Sequence, residues 1–498
     1  MIRARVVAAL VAGALACGAV LFITRPPAPG LDPDAMSYAG AGESLARTGR
    51  LRIPDADWWD TDSTSALAQF PAGFPAAIAV GVGAGLSPVQ AARWVEAIAA
   101  CVMVLTIVLL LQSTAGTPAG VIAALLLATT PALFDNYIRV LSEPLFLMCL
   151  TLALAAMVRR PERPFFAGLA AAAAESVRYA GIGVGIAAVL WAFGRSGPWR
   201  ERVERALEAA LPVVVLHTWW KVRLHAVGAE APPVTHLLRG VSATLREGMR
   251  TIAEWLTPSV GGTVTRWLLG AALFAGAVWL VRRTLRRMPR DARAIGRRRL
   301  FNAAGLLALC YTGVLLFSRS FVGAGIPFDE RLLSPLFLLA TVVAAACLRI
   351  RWSAWSAPVR AAVAAGVFAW AVGGALENLD QLEGLGEDGW GYSGRKWQPS
   401  AEQRWLQTEG ERYQLFSNNP MLVYFLTGRP SRELPDTADA TTLRDFAGTL
   451  EEQQHGAVVG FDESYRPMDP PGFLAAVLGL APLARLEHMT VWIPKESP

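Results

Sequence analysis

Apolar residues in this chain run in long windows that contain almost no charge, for example 102–111 and 341–348 with their apolar flanks. A hydrocarbon core about 30 Å thick needs about 20 helical residues to cross it. Backbone in lipid must satisfy its hydrogen bonds within its own segment, so such windows predict helices rather than isolated strands. The pattern predicts spans at 6–23, 91–111, 118–134, 144–158, 165–174, 179–193, 206–224, 267–281, 300–317, 332–348 and 361–376. The fifth is short and reads as broken or re-entrant. After residue 376 the pattern changes to polar sequence with short strand-like runs at 456–461 and 489–493, which predicts a small soluble α/β domain. The expected fold is therefore a polytopic α-helical membrane protein of about eleven transmembrane helices with outer interfacial helices, carrying a C-terminal α/β domain. Its domains are 1–376, with a first outer loop at 24–90, and 377–498. No internal repeat of transporter type is visible.

One apolar segment, 71–86, is rich in Gly and Pro, and its placement sets the side of every later loop. Arginines decide it. They cluster at Arg159, Arg160 and Arg163; at Arg195, Arg200, Arg202 and Arg205; from Arg282 to Arg299; and at Arg349, Arg351 and Arg360. With 71–86 lying along the surface, all four clusters share a side with Arg3 and Arg5, as the positive-inside rule requires. The N-terminus is then cytoplasmic and 71–86 is an interfacial helix on the outer face. Loops 24–70, 135–142, 175–178, 226–265 and 319–331, and the tail from 377, all fall outside.

Composition agrees: 53% of the 498 residues are hydrophobic and 17% charged, a balance too apolar for a soluble protein of this length. The net charge of +6 sits in short loops with a topological role, so it is no nucleic-acid signal. Five cysteines (Cys17, Cys101, Cys149, Cys310 and Cys347) lie in apolar stretches without metal or redox spacing and read as small core residues. Ala16-Cys17 has the look of a lipoprotein cleavage site. Apolar sequence continues through Ile23 and many spans follow, so the segment reads as an uncleaved first span.

Candidate chemistry lies in the outer loops. In Leu31-Asp32-Pro33-Asp34-Ala35-Met36-Ser37-Tyr38, two carboxylates stand ready as a general base and its partner, or form a solvated turn in which Asp34 caps the following helix. Glu143 opens the fourth span, either as a charge favoured by the helix dipole or as a functional acid at the edge of hydrocarbon. Arg178 and Arg331 break the inside preference of arginine. Each reads as a phosphate ligand or as an internal ion pair, for Arg331 with Asp329 or Glu330. His217, His225 and His236 lack ligand spacing, and Lys221 with Trp219 and Trp220 reads as an interface anchor. No metal site is supported by spacing, although carboxylates alone are able to hold a divalent cation.

Taken in order, several stretches resemble the GT-C superfamily of polytopic glycosyltransferases, in the branch of protein O-mannosyltransferases and lipid A aminoarabinose transferases. They are Asp32-Pro33-Asp34 with Tyr38, Pro71-Ala72-Gly73-Phe74-Pro75, Ser142-Glu143-Pro144-Leu145-Phe146, Arg178-Tyr179-Ala180-Gly181 and Arg331-Leu332-Leu333-Ser334-Pro335. In the tail, Phe416-Ser417-Asn418-Asn419-Pro420, Tyr424-Phe425-Leu426-Thr427-Gly428-Arg429 and Leu434-Pro435 look like bacterial members. The resemblance implies a bacterial inner-membrane enzyme that takes a sugar from a polyprenyl-phosphate donor on the outer face and needs no cofactor. The acceptor would be a protein, lipid or glycan, with membrane lipids as further partners. Asp34, or secondarily Asp32, would be the base, with Glu143 orienting the acceptor or Asp34. Arg331 and Arg178 would hold the leaving phosphate, and Tyr38, Tyr179, Asp329 and Glu330 would contact substrate. Two other classes stand beside it: a transporter or flippase for lipid-linked saccharides, which would use the same outer charges for binding, and a non-catalytic assembly protein whose outer tail binds a partner.

Overall fold

The computed structural model describes residues 2–25, 29–229, 241–257, 263–286, 292–321, 328–435, 439–453, 455–463 and 471–495. In chain order the helices are α1 (Ile2–Ile23), α2 (Pro33–Thr48), α3 (Gly73–Gly83), α4 (Pro88–Thr114), α5 (Thr117–Ala128), α6 (Pro131–Tyr137), α7 (Glu143–Arg159), α8 (Pro164–Val177), α9 (Ile182–Phe193), α10 (Trp199–Ala226), α11 (Val241–Leu256), α12 (Thr263–Arg286), α13 (Ala292–Phe321), α14 (Glu330–Arg351), α15 (Ala357–Asp388), α16 (Ala401–Gln407), α17 (Pro420–Thr427), α18 (Ala440–Glu452) and α19 (Pro471–Val477). The strands are β1 (Arg52–Ile53), β2 (Asp55–Ala56), β3 (Ser65–Ala66), β4 (Gln414–Ser417), β5 (Ser431–Glu433), β6 (Gly456–Phe461), β7 (Ala481–Arg485) and β8 (Met489–Ile493). They divide into two units. One comprises 1–23 and 93–383, the other 24–92 and 384–498.

The first unit is helical, and the chain is a multi-span membrane protein. Among the described residues, six helices are each long and apolar enough to cross a bilayer: α1, α4, α12, α13, α14 and α15. The expected span at 118–134 is broken into α5 and α6, bent by 65°. The cause is Pro131, which cannot donate an intrahelical bond and so starts a new helix at its first position. Counted as one, the pair makes a seventh candidate. The expected spans at 165–174 and 179–193 form α8 and α9, both shorter than a span, so this measure does not reach eleven. The expected loop at 226–265 is not wholly loop. It contains α11, in which Leu245, Met249, Ile252 and Leu256 recur at helical spacing among charged residues. Its opposite face is held by Thr251, whose hydroxyl donates to the Phe328 carbonyl at 2.9 Å, and by Trp255 edge-on to Phe337. The last helix, α15, runs to Asp388, past the expected end at 376.

Small residues set the tightest packing. A Cβ on Gly168 of α8 would lie 2.0 Å from the backbone oxygen of Ala209 in α10, so these two helices approach as closely as backbones allow.

The second unit joins residues 24–92 to the polar tail. Its six-stranded sheet has the order β2-β5-β4-β6-β8-β7. The β2, β5, β4 and β6 neighbours run parallel, and β8 and β7 are antiparallel. The expected strands at 456–461 and 489–493 are β6 and β8. The sheet is not confined to the tail, because β2 comes from the first loop and pairs Asp55 with Ser431. Arg432 donates to the Thr61 carbonyl at 2.8 Å, and Trp58 packs edge-on to Phe446 in the core of this unit. Within it α3, with 11 residues, spans about 16 Å at 1.5 Å per residue, too short to cross a bilayer.

Gly168→Val should destabilise the protein by ~3 kcal/mol, since overpacking against backbone cannot be relieved by a rotamer change. Thermal unfolding of the variant in detergent micelles measures it; an unchanged midpoint would contradict the close α8–α10 approach.

Candidate active site

Glu143 in the first unit is 2% exposed, and one oxygen carries two arginines. Its Oε1 lies 2.7 Å from Nη1 of Arg178 and 3.0 Å from Nε of Arg331. A buried carboxylate is tolerated only when paired and hydrogen-bonded, and three pieces of chain supply that arrangement. Glu143 is the first residue of α7, where the helix dipole favours a negative charge, and Pro144 is accepted in the same turn. Arg178 is the extended residue that ends α8. It is aimed by the 3₁₀ turn Tyr179–Gly181, which folds so tightly on α8 that a Cβ on Gly181 would lie 2.3 Å from the Glu175 nitrogen. Arg331 sits in the first turn of α14, capped by Asp329, whose side chain accepts from the Leu332 nitrogen at 3.1 Å. Pro335 cannot donate to the Arg331 carbonyl four residues back, and the Ser334 hydroxyl does so instead at 2.8 Å.

Neighbouring groups complete the clamp. Arg178 Nη1 also donates to Ser142 Oγ at 3.1 Å. Tyr311 packs on Phe146 and donates to the Leu332 carbonyl at 2.8 Å. Burial pushes the Asp329 carboxyl above its ordinary range. Arg331 is ion-paired with Glu143, a partner the adjacent acids Asp329 and Glu330 did not suggest. Glu330 is half-buried in the first turn of α14. Tyr179 accepts a hydrogen bond from Trp220 Nε1 at 3.0 Å. His217 does not stand alone: its Nδ1 lies 2.6 Å from Oε1 of the buried Glu175. His225 lies in the last turn of α10 and His236 lies outside the described residues.

Asp32 and Asp34 belong to the second unit, where they line a cleft of about 400 Å³ with Asp55, Glu433, Trp390 and Tyr392. The helix cap is Asp32, not Asp34. Asp32 Oδ1 accepts from the Ala35 nitrogen at 2.8 Å, and Pro33 occupies the first helical position. The segment before it is strapped by Leu31, which takes an amide bond from Tyr392 at 2.8 Å and gives one to Trp390 at 3.3 Å. Only glycine fits opposite: Gly391 has φ 61°, and a Cβ there would lie 2.0 Å from the Leu31 oxygen. Tyr392 in turn donates to Asn419 Oδ1 at 2.6 Å, the same oxygen that caps α17. Asn418 exchanges two 2.8 Å bonds with the backbone of Phe461, latching β4 to the end of β6. Tyr38 is buried against Phe70 and Phe74 and does not line the cleft.

Four acids were not singled out by motif: Asp55 and Glu433 in the cleft, Glu175 beside His217, and Glu96 in α4. Glu96 had a signal, being an acid inside the apolar window 91–111. Asp55 and Glu433 are brought to the cleft by β2–β5 pairing, which short strands do not announce. Among the described residues, no group of three or more His, Cys, Asp or Glu side chains is arranged to hold a metal ion.

The family described as dolichyl-phosphate-mannose-protein mannosyltransferase matches residues 74–220. No curated protein sequence matches the chain. Among solved structures, ArnT from Cupriavidus metallidurans bound to undecaprenyl phosphate is similar with a TM-score of 0.59 and 15% identity, over 99% of this chain and 98% of that one. AglB from Archaeoglobus fulgidus, in complex with an inhibitory peptide and a dolichol-phosphate, gives 0.54 and 12% over 92% and 69%. The arabinofuranosyltransferase AftD from Mycobacteria gives 0.55 and 17% over 98% of this chain and 40% of that chain. The chain has the GT-C fold of polytopic membrane glycosyltransferases. Within that fold, the segment from α3 through most of α10 is the part that also resembles the protein mannosyltransferases by sequence.

Removing the Glu143 carboxylate would leave two guanidinium groups facing each other in a poorly hydrated site. Glu143→Ala should therefore cost ~3–5 kcal/mol. Unfolding in detergent tests this, and a loss no larger than that of an exposed substitution would show that the arginines do not depend on it.

Proposed function

We propose that the protein is a glycosyltransferase that moves a sugar from a polyprenyl-phosphate donor to an acceptor hydroxyl. The observation that carries this reading is the division of labour between the two first-loop acids. Both line the polar cleft; Asp32 Oδ1 is in addition committed to the cap of α2, while Asp34 lies one residue inside the helix. Asp34 is thus the better candidate for a general base. Asp32, which also lines the cleft, remains the alternative base. In this reading Asp34 accepts the acceptor's hydroxyl proton as the oxygen bonds to the anomeric carbon. The bond from that carbon to the phosphate oxygen breaks, its electron pair leaves with the lipid phosphate, and the anomeric centre inverts.

Arg331 and Arg178 are proposed to hold that phosphate. Guanidinium forks pair with phosphate oxygens in two-point geometry, and stabilising charge as it develops is commonly the largest catalytic contribution. Glu143 orients both side chains through its Oε1, so its proposed work is on the arginines rather than on the acceptor. Support for the donor class comes from the fold relatives, two of which hold a polyprenyl phosphate, undecaprenyl phosphate in one and dolichol-phosphate in the other. The arginine distribution supports a cytoplasmic N-terminus and a periplasmic second unit in a bacterial inner membrane. Asp329, Glu330 and Tyr179 are proposed to line the donor side of the first unit.

Full-length protein in nanodiscs, supplied with polyprenyl-phosphate sugars, should release polyprenyl phosphate. Asp34→Asn should lower the rate by ~10²–10⁴-fold, whereas Asp32→Ala should mainly cost ~1 kcal/mol of stability through loss of the cap. Full turnover in both Asp34→Asn and Arg331→Ala would overturn the assignment.

A further inference from the structure

We infer that Glu96 is a positioning residue for the Glu143–Arg178–Arg331 clamp, acting through the backbone of Leu141. The inference rests on the proposal that the clamp binds a lipid phosphate. Glu96 lies in α4, is fully buried, and is two turns from Met103 on the same helical face. That face holds the chain between α6 and α7 at two points. Tyr137, at the end of α6, lies with its hydroxyl 3.9 Å from Met103 sulfur. Leu141, two residues before Glu143, donates its backbone N–H to Glu96 Oε1 at 2.7 Å.

Burial makes the second contact consequential. Val140, Leu141 and Ser142 are completely buried, so the Leu141 N–H has no water to turn to. An unmade buried hydrogen bond costs the full desolvation of its donor. The Glu96 acceptor oxygen therefore decides where this connection sits, and the connection carries two clamp groups: Ser142 Oγ, which receives Arg178 Nη1 at 3.1 Å, and the Glu143 carboxylate itself. The second oxygen of Glu96 is buried without a partner. A group with no role would be better replaced by an apolar side chain in an apolar helix. Only one oxygen is used, so the requirement is for an acceptor atom and not for a charge.

Undecaprenyl phosphate is the probe, titrated against full-length protein in nanodiscs and read by native mass spectrometry. Glu96→Leu should weaken binding about tenfold at an unchanged extent of folding, and Glu96→Gln, which keeps the acceptor oxygen, should stay within about twofold of the parent. Replacing Leu141 by its α-hydroxy acid deletes the same bond from the donor side with the Glu96 side chain intact, and should reproduce the loss; it decides the matter if Glu96→Leu does not fold. Arg331→Ala is the control for the underlying reading. If Arg331→Ala loses affinity while Glu96→Leu and the α-hydroxy acid keep it, the role of Glu96 is overturned and the anion site stands. Equal loss in Glu96→Gln also overturns it, because charge rather than the acceptor atom would then be what matters. Parent-like affinity in Arg331→Ala removes the anion site, and the inference with it.

Discussion

A carboxylate removed from water must find cations and donors, and in the first unit that demand organises the ends of three helices. Glu143 opens α7, and its pairing fixes where α8 must stop and where α14 must begin. The 3₁₀ turn after α8, the Asp329 cap and the Ser334 hydroxyl under Pro335 each read as local means of presenting one of the two guanidinium groups. Coulombic attraction in a weakly polarisable surrounding is strong enough to justify these departures from regular helix. It also explains why short motifs widely separated in sequence belong together.

In the second unit the organising force is backbone pairing. Two residues of β2 bring the first loop into register with β5, and the 31–32 and 390–392 segments are strapped by a pair of amide bonds. Polar side chains of the Ser417-Asn418-Asn419 stretch then serve mostly to hold backbone, at the end of β6 and at the start of α17. The cleft around Asp34 is therefore a product of loop closures rather than a gap between independent loops.

Much of this was legible in the chain. Apolar windows announce membrane helices because lipid leaves no other choice, and β6 and β8 stand out as strand-like runs in polar surroundings. Other features had a signal of another kind. Pro131 marked the break in the expected third span. Pro33 marked Asp32 as the cap, since proline favours the first helical position and the cap precedes it. Leu245, Met249, Ile252 and Leu256 spelled out α11, but their period is hidden from a scan for unbroken apolarity by Arg246, Glu247, Arg250 and Glu254. What the chain could not show was convergence. Nothing near Arg331 names Glu143, 188 residues away, as a partner. Two-residue strands such as β2 carry too little pattern to reveal that they complete a distant sheet.

That sheet has a bearing on how the protein is made. Arg432 and the Thr61 carbonyl it contacts are 371 residues apart, and chains grow at about 5–20 residues per second. The early loop, with Trp58 and an unpaired edge at β2, must wait tens of seconds for the segment that covers it. During that interval the intervening helices are already entering the bilayer. Biogenesis thus joins two solvents and two timescales: lipid insertion proceeds from the front of the chain, and the water-facing half can close only when its last strands arrive.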